Sequence, residues 1–125
     1  MKKRKKQGQS LIEVLAALAI AVLVIVALVA GVTYAVRNLT YAKNQALATQ
    51  YAQEGLEAAR RMRDENPSTF FQNGSCNADD PLGIFHRTRS CVYDSGNDWM
   101  DVTVVVSWNA EENMTTLETR LTNWR

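Results

Sequence analysis

Charge is absent between Glu13 and Arg37, and Ala, Val, Leu and Ile fill most of that stretch. A run of about 20 apolar residues is what a helix needs to cross ~30 Å of hydrocarbon. From Ser10 to about Asp64 the chain has no proline, and its second half is dominated by good helix formers. The pattern predicts one continuous helix over this whole stretch. Ser10 with Glu13 three residues later has the form of a capping box at its start. Asn66-Pro67 marks its end, because a residue before proline is pushed out of the helical region. At 1.5 Å per residue such a helix is about 80 Å long, well over twice the bilayer core.

Beyond the apolar run the helix changes character. Ala35, Leu39, Ala42, Ala46, Ala52, Leu56 and Ala59 form a narrow stripe of mostly small residues, interrupted by Lys43, Gln45, Gln53, Glu57 and Arg60. The spacing predicts an amphipathic helix that a sheet can approach closely. Gly31 and Gly55 each weaken the helix by about 1 kcal/mol relative to alanine. Gly31, where the apolar run ends, is a candidate for a local bend.

Ser68 to Pro81 is rich in Asn, Gly, Asp, Ser and Pro and reads as a loop. Three strands are predicted after it. Ile84 to Tyr93 is the weakest. Asp101 to Trp108 is the strongest, with Val102, Val104, Val106 and Trp108 on one face. Met114 to Trp124 alternates Leu117, Thr119 and Leu121 against Glu118, Arg120 and Thr122. Asp94 to Asp98 and Asn109 to Asn113 supply the turns. The expected fold is α+β: a long N-terminal helix packed on a small antiparallel three-stranded sheet.

At 125 residues the chain has room for one small domain. Without the apolar segment, fewer than ninety residues remain to build a core, so a cross-link or a partner is expected to assist. The formal net charge of +1 hides two opposite regions. Lys2, Lys3, Arg4, Lys5 and Lys6 precede the apolar run, leaving nine basic against 13 acidic residues beyond Gly8. A basic cluster beside a membrane span stays in the cytoplasm, which puts the C-terminal domain outside. The same cluster taken alone also suits nucleic acid, but the rest of the chain shows no basic stripe. Nucleic acid is therefore not indicated as a partner. Cys76 and Cys91 fall in the outer region, where two cysteines separated by a short loop read as one disulfide worth roughly 3 kcal/mol. Free thiols or half of a metal site are the alternatives. With no CxxC and a lone histidine, His86, neither zinc nor another cofactor is indicated.

The most specific pattern lies at the N-terminus. Lys5-Lys6-Gln7-Gly8-Gln9-Ser10-Leu11-Ile12-Glu13-Val14-Leu15 resembles the class III signal of type IV prepilins and of the pseudopilins of type II secretion. The resemblance implies that a membrane prepilin peptidase cuts after Gly8, making Gln9 the first mature residue. It places Glu13 five residues beyond the cut, at the family's assembly glutamate. It also implies other pilin or pseudopilin subunits and an assembly platform as partners, with the membrane holding the subunit beforehand. The long helix, the loop, the short sheet and the paired cysteines fit the same family. Two departures stand out. The family's usual first mature residue is phenylalanine, here Gln9, which leaves N-methylation open. Its major subunits often carry a proline within the apolar half, absent here. Both lean toward a minor pilin or pseudopilin.

A carboxylate inside an apolar run costs up to roughly 2.5–3.5 kcal/mol on insertion scales and normally finds a partner. After cleavage Gln9 carries a free ammonium in the same membrane layer. Glu13 can pair with its own amine, with a neighbour's as the resemblance implies, or reach the headgroups. Ala16, Ala17, Ala19, Ala21 and Ala27 among Leu, Val and Ile give shallow grooves through which such helices pack.

Other patterns are weaker. Asp94, Asn97, Asp98 and Asp101 offer oxygens for Ca²⁺ but lack EF-hand spacing and are ordinary turn residues. Asn38, Asn73 and Asn113 each begin a glycosylation sequon. Trp99, Trp108 and Trp124 are expected to close the small core. No catalytic constellation is recognisable, and an enzyme is not expected.

The expected organisation is a leader over 1–8, a transmembrane and filament-core half-helix over 9–36, and an extracytoplasmic head over 37–125. The expected function is a minor pilin or pseudopilin, first in the cytoplasmic membrane with its N-terminus inside, then in a surface pilus or periplasmic pseudopilus. The rivals are a monomeric single-pass protein with an outer binding domain and a domain released by ordinary signal peptidase. The last fits poorly, because the apolar run exceeds an h-region of about 7–15 residues.

Overall fold

The computed structural model describes the backbone of residues 6–123 and the side chains of residues 10–123. Trp124 and the side chains of the basic tract Lys2 to Lys6 lie outside the described residues. Six elements follow in order: α1 Lys6–Glu65, α2 Pro67–Phe70, β1 Ala78–Leu82, β2 Phe85–Asp94, β3 Trp99–Trp108 and β4 Asn113–Thr122. The chain divides into two compact units, one ending at Tyr41 and the other beginning at Ala42.

In the first unit α1 is apolar all round, and its large side chains from Leu11 to Val36 are all exposed. A helix with no polar face is suited to lipid or to burial among other helices. From Ser10 it is long and apolar enough to cross a membrane. The hydroxyl of Thr33 donates to the Val29 carbonyl at 2.9 Å, so even this polar group is satisfied within the helix. Helical structure continues through Gly31, where no bend is needed. The expected capping box is not used: α1 already begins at Lys6, so residues before Ser10 supply the preceding turn.

In the second unit, α1 from Ala42 onward packs on one face of an antiparallel sheet of order β1-β2-β3-β4. The core joins Ala48, Ala52, Leu56 and Ala59 to Phe85, Cys91, Met100, Val102, Val104, Val106, Trp108 and Leu121. The four alternate positions of β3 from Val102 to Trp108 are buried, as period two requires. The helical stripe differs from the expected one. Ala42 and Ala46 are exposed and Ala48 is fully buried. Counting back from Ala52, four residues return to the same helical face, whereas six land about a third of a turn away.

The sheet has four strands rather than three. The additional one, β1, occupies part of the segment read as loop. Its composition, Ala-Asp-Asp-Pro-Leu, is poor for a central strand but suits an edge, where Pro81 need not donate to a second neighbour. Leu82 pairs with Phe85 across Gly83-Ile84, and Gly83 has φ +67° at the first turn position. That is the conformation a two-residue hairpin demands and glycine supplies. The other hairpins close over four residues each, since Asp94 pairs with Trp99 and Trp108 with Asn113.

Candidate functional site

Two regions bear on function: the N-terminal end of α1 and the clamp that holds the head helix on its sheet.

Gly8 and Gln9 lie within the backbone of α1, while the Gln9 side chain lies outside the described residues. Glu13 is exposed. Four residues separate the Gln9 nitrogen from Glu13, about 6 Å of axial rise. The Cα–Cβ bonds of a helix tilt toward its N-terminus, which puts the nitrogen that cleavage after Gly8 would free on the side toward which the Glu13 side chain starts out. No other acidic residue follows until Glu54. The apolar helix thus carries a single carboxylate one turn from the prospective amine.

In the head, Cys76 and Cys91 form a disulfide, with Cα atoms 5.7 Å apart. It ties the segment after α2 to the middle of β2. Around it, the Gly74 amide donates to the Cys91 carbonyl at 3.1 Å, and the Cys91 amide donates to Asn77 Oδ1 at 2.8 Å. Sequence reasoning missed the adjoining clamp. Arg87 and Arg89 lie on the helix-facing side of β2, where alternation alone calls for apolar residues. Arg89 is buried. Its Nε donates to the Cys76 carbonyl at 2.6 Å and its Nη1 to the Gly55 carbonyl at 3.3 Å. Burial lowers the Arg89 pKa from its ordinary value, and nearby Asp80 opposes the shift. Arg87 donates to the Tyr51 carbonyl at 3.2 Å and to Asp80 Oδ2 at 2.9 Å. The two guanidinium groups therefore reach backbone carbonyls one turn apart on α1. A basic residue on the predicted inner face of a strand was the only sequence signal.

The acidic turn considered for calcium is occupied by its own hydrogen bonds. Asp94 accepts from the Gly96 amide and from Asn97 Nδ2, both at 2.9 Å. Asp98 accepts from Tyr93 Oη at 2.8 Å and from Asn123 Nδ2 at 3.1 Å. Asp101 pairs with Arg120 at 2.7 Å. The Asn97 and Gly96 donors hold Asp94 below the usual carboxylate range, and the Arg120 hydrogen bond does the same for Asp101. His86 stands 2.8 Å from Asp79 on the outer sheet face. Trp108 is buried beside Phe85, with ring centroids 6.1 Å apart, while half-buried Trp99 lies under the Arg120 guanidinium at 4.0 Å.

Residues 3–34 match the family model of the prokaryotic N-terminal methylation motif. The chain therefore carries the class III signal peptide of type IV pilins and pseudopilins. That motif indicates a type IV pilin-like precursor; it covers only this N-terminal stretch and ends before the second compact unit begins. No curated protein and no solved structure matches the chain.

Proposed function

We propose that this chain is a structural subunit, a minor pilin or pseudopilin, of a type IV filament or type II secretion apparatus. Residues 1–8 are the leader, 9–36 the membrane and filament-core segment, and 37–125 the head on the outer side. Prepilin peptidase cuts after Gly8, and the assembly platform draws the mature subunit out of the membrane into the filament.

The observation that carries this reading is the methylation motif set on a helix that is apolar around its whole circumference. A single-pass anchor faces lipid on every side and needs the same apolar surface. What packing among copies of itself adds is a requirement for small residues that permit close approach, which Ala16, Ala17, Ala19, Ala21 and Ala27 meet. Glu13 supplies register, since a lone carboxylate in an apolar bundle is stabilised only where an amine meets it. The amine is that of Gln9 on the neighbouring subunit.

The decisive measurement is the N-terminal mass of the protein extracted from membranes of cells that hold the peptidase. A mature chain beginning at Gln9 is expected. An intact Met1 would instead favour an unprocessed single-pass protein with an outer binding domain.

A further inference from the structure

The two edges of the sheet are not alike. β1 is a guarded edge: five residues long, with Asp79, Asp80 and Pro81 in succession. β4 is an open one. It has ten residues, no proline or lysine, and an unbroken register with β3 from Trp108↔Asn113 to Trp99↔Thr122. In an antiparallel ladder half of an edge strand's backbone groups point away from its neighbour, so β4 presents a row of donors and acceptors outward.

The sequence along that edge is Thr116-Leu117-Glu118-Thr119-Arg120-Leu121-Thr122, which reads the same in both directions apart from exchange of Glu and Arg. Antiparallel pairing of two such strands about Thr119 sets Thr116 opposite Thr122, Leu117 opposite Leu121 and Glu118 opposite Arg120. Each of these pairs occurs twice. Leucines then meet on the helix-facing side and opposite charges meet on the outer side, which is the arrangement that stabilises cross-strand neighbours. A slip by one residue would set Glu118 against Leu121 or Arg120 against Leu117, and a slip by two would set one of these charges against its own copy. Arg120 is already positioned, held by Asp101 at 2.7 Å and 3.1 Å across the Trp99 ring, with Nη1 unused in that pair. Glu118 is exposed and has no ion-pair or hydrogen-bond partner among the described residues.

We propose that β4 is a self-recognition edge that joins two heads, through a second copy of this chain, into one continuous eight-stranded sheet. The contact is isologous, with its two-fold axis normal to the sheet and midway between the two copies of Thr119. That axis keeps both head helices on the same side of the sheet but reverses their direction. Where subunits stand in an ordered array, as in the filament reading, this pairing joins the heads of one array to those of another. This last step rests on the filament reading; the pairing itself does not. One strand pair is a small interface, so its strength comes from repetition along an array.

The test uses the full-length chain embedded singly in lipid nanodiscs, so that anchor helices in separate bilayers cannot associate. Thr119→Cys places a thiol opposite its own copy, and mild oxidation should give a disulfide-linked dimer joining two discs. Thr116→Cys is the register control, because the two Thr116 positions lie about 20 Å apart in this pairing. Its dimer yield should be several-fold lower. Adding Glu118→Arg to Thr119→Cys replaces both Glu–Arg pairs by like charges and should cut the yield by about tenfold without changing the head's melting temperature. Equal yields from Thr119→Cys and Thr116→Cys, or a yield indifferent to Glu118→Arg, would overturn the proposal. Neither outcome touches the filament reading, which the N-terminal mass decides separately.

Discussion

Gly55 meets Val104 so closely that a β-carbon placed on the glycine would lie 2.9 Å from Val104 Cγ1. Arg87 Cδ would be 3.3 Å away. Val104 is fully buried at the centre of β3 and has no room to withdraw. The glycine weakens its helix in order to bring the helix backbone onto the sheet, which in turn lets Arg89 reach the Gly55 carbonyl.

Gly55→Ala should therefore destabilise the head, although alanine is the better helix former. The propensity gain is about 1 kcal/mol. Overpacking of this kind costs about 1–3 kcal/mol, and displacement of the helix also threatens the Arg89 bond. A net loss of about 1–2 kcal/mol is expected from the denaturation midpoint. Gly31→Ala is the contrast, since nothing lies within 4 Å of the added carbon. It should leave head stability unchanged.

Arg89 links the disulfide to the helix. Its truncation to methionine removes a donor from both carbonyls; Gly55 keeps its intrahelical partner in α1, while the Cys76 carbonyl is left buried without a donor, at a cost of about 1–3 kcal/mol. Replacing both cysteines by alanine removes a cross-link between residues 15 apart in sequence, a loss of about 3 kcal/mol in the chain-entropy model. Because the disulfide fixes the carbonyl that Arg89 binds, the two losses should not add. A double-mutant cycle is expected to give a coupling of about 0.5–3 kcal/mol. Strict additivity would mean that the disulfide and the clamp act independently.

The period-two run Val102, Val104, Val106 and Trp108 made the central strand legible, and Asn66-Pro67 made the end of α1 so. What escaped had physical reasons. β1 contains Asp-Asp-Pro, which local propensity excludes from strands; its pairing comes from Gly83 turning the chain and from Arg87 holding Asp80. Arg87 and Arg89 break the alternation of β2, and only the approach of helix carbonyls reveals their partners. Along α1, alanine is so frequent that Ala46 and Ala48 carry the same local information. Tertiary contact with the sheet selects Ala48. At the N-terminus, Gly8, Gln9 and Glu13 were singled out by resemblance to a class III signal, a linear motif, and the family match over residues 3–34 spans all three.

The acidic turn between β2 and β3 should lose stability only in acid. Asp94 and Asp101 both have pKa values below the ordinary carboxylate range in the folded state. Their contribution is present above the unfolded value of about 3.9 and disappears as pH falls through the lower folded values. Stability from these two groups should be flat above about pH 5 and decline below about pH 4. Asp94→Asn and Asp101→Asn should each flatten that decline in a series of denaturation curves across pH. A decline of undiminished slope in both variants would place the acid sensitivity elsewhere.

Glu13 offers the sharpest division between anchoring and assembly. Replacing it with alanine removes a carboxylate from an apolar helix, so membrane insertion should be unchanged or improved. Glutamine keeps the shape but gives up the charge. Under the assembly mechanism both variants lose the partner for a neighbour's Gln9 amine, and a new subunit no longer docks in the correct axial register. Leader cleavage and membrane levels should stay near wild type in both, while recovery in the sheared filament or pseudopilus fraction falls strongly. Gly8→Val supplies the reference for a different failure, since bulk at the cut site should leave the leader attached and the protein in the membrane. Charged neighbours in a mixed filament would make the Glu13 defect graded rather than complete. If Glu13→Ala and Glu13→Gln both enter filaments at the wild-type level while Gly8→Val does not, cleavage matters and the charge pair does not. Glu13 would then be a residue that reaches the headgroups, and register would have to come from helix packing alone.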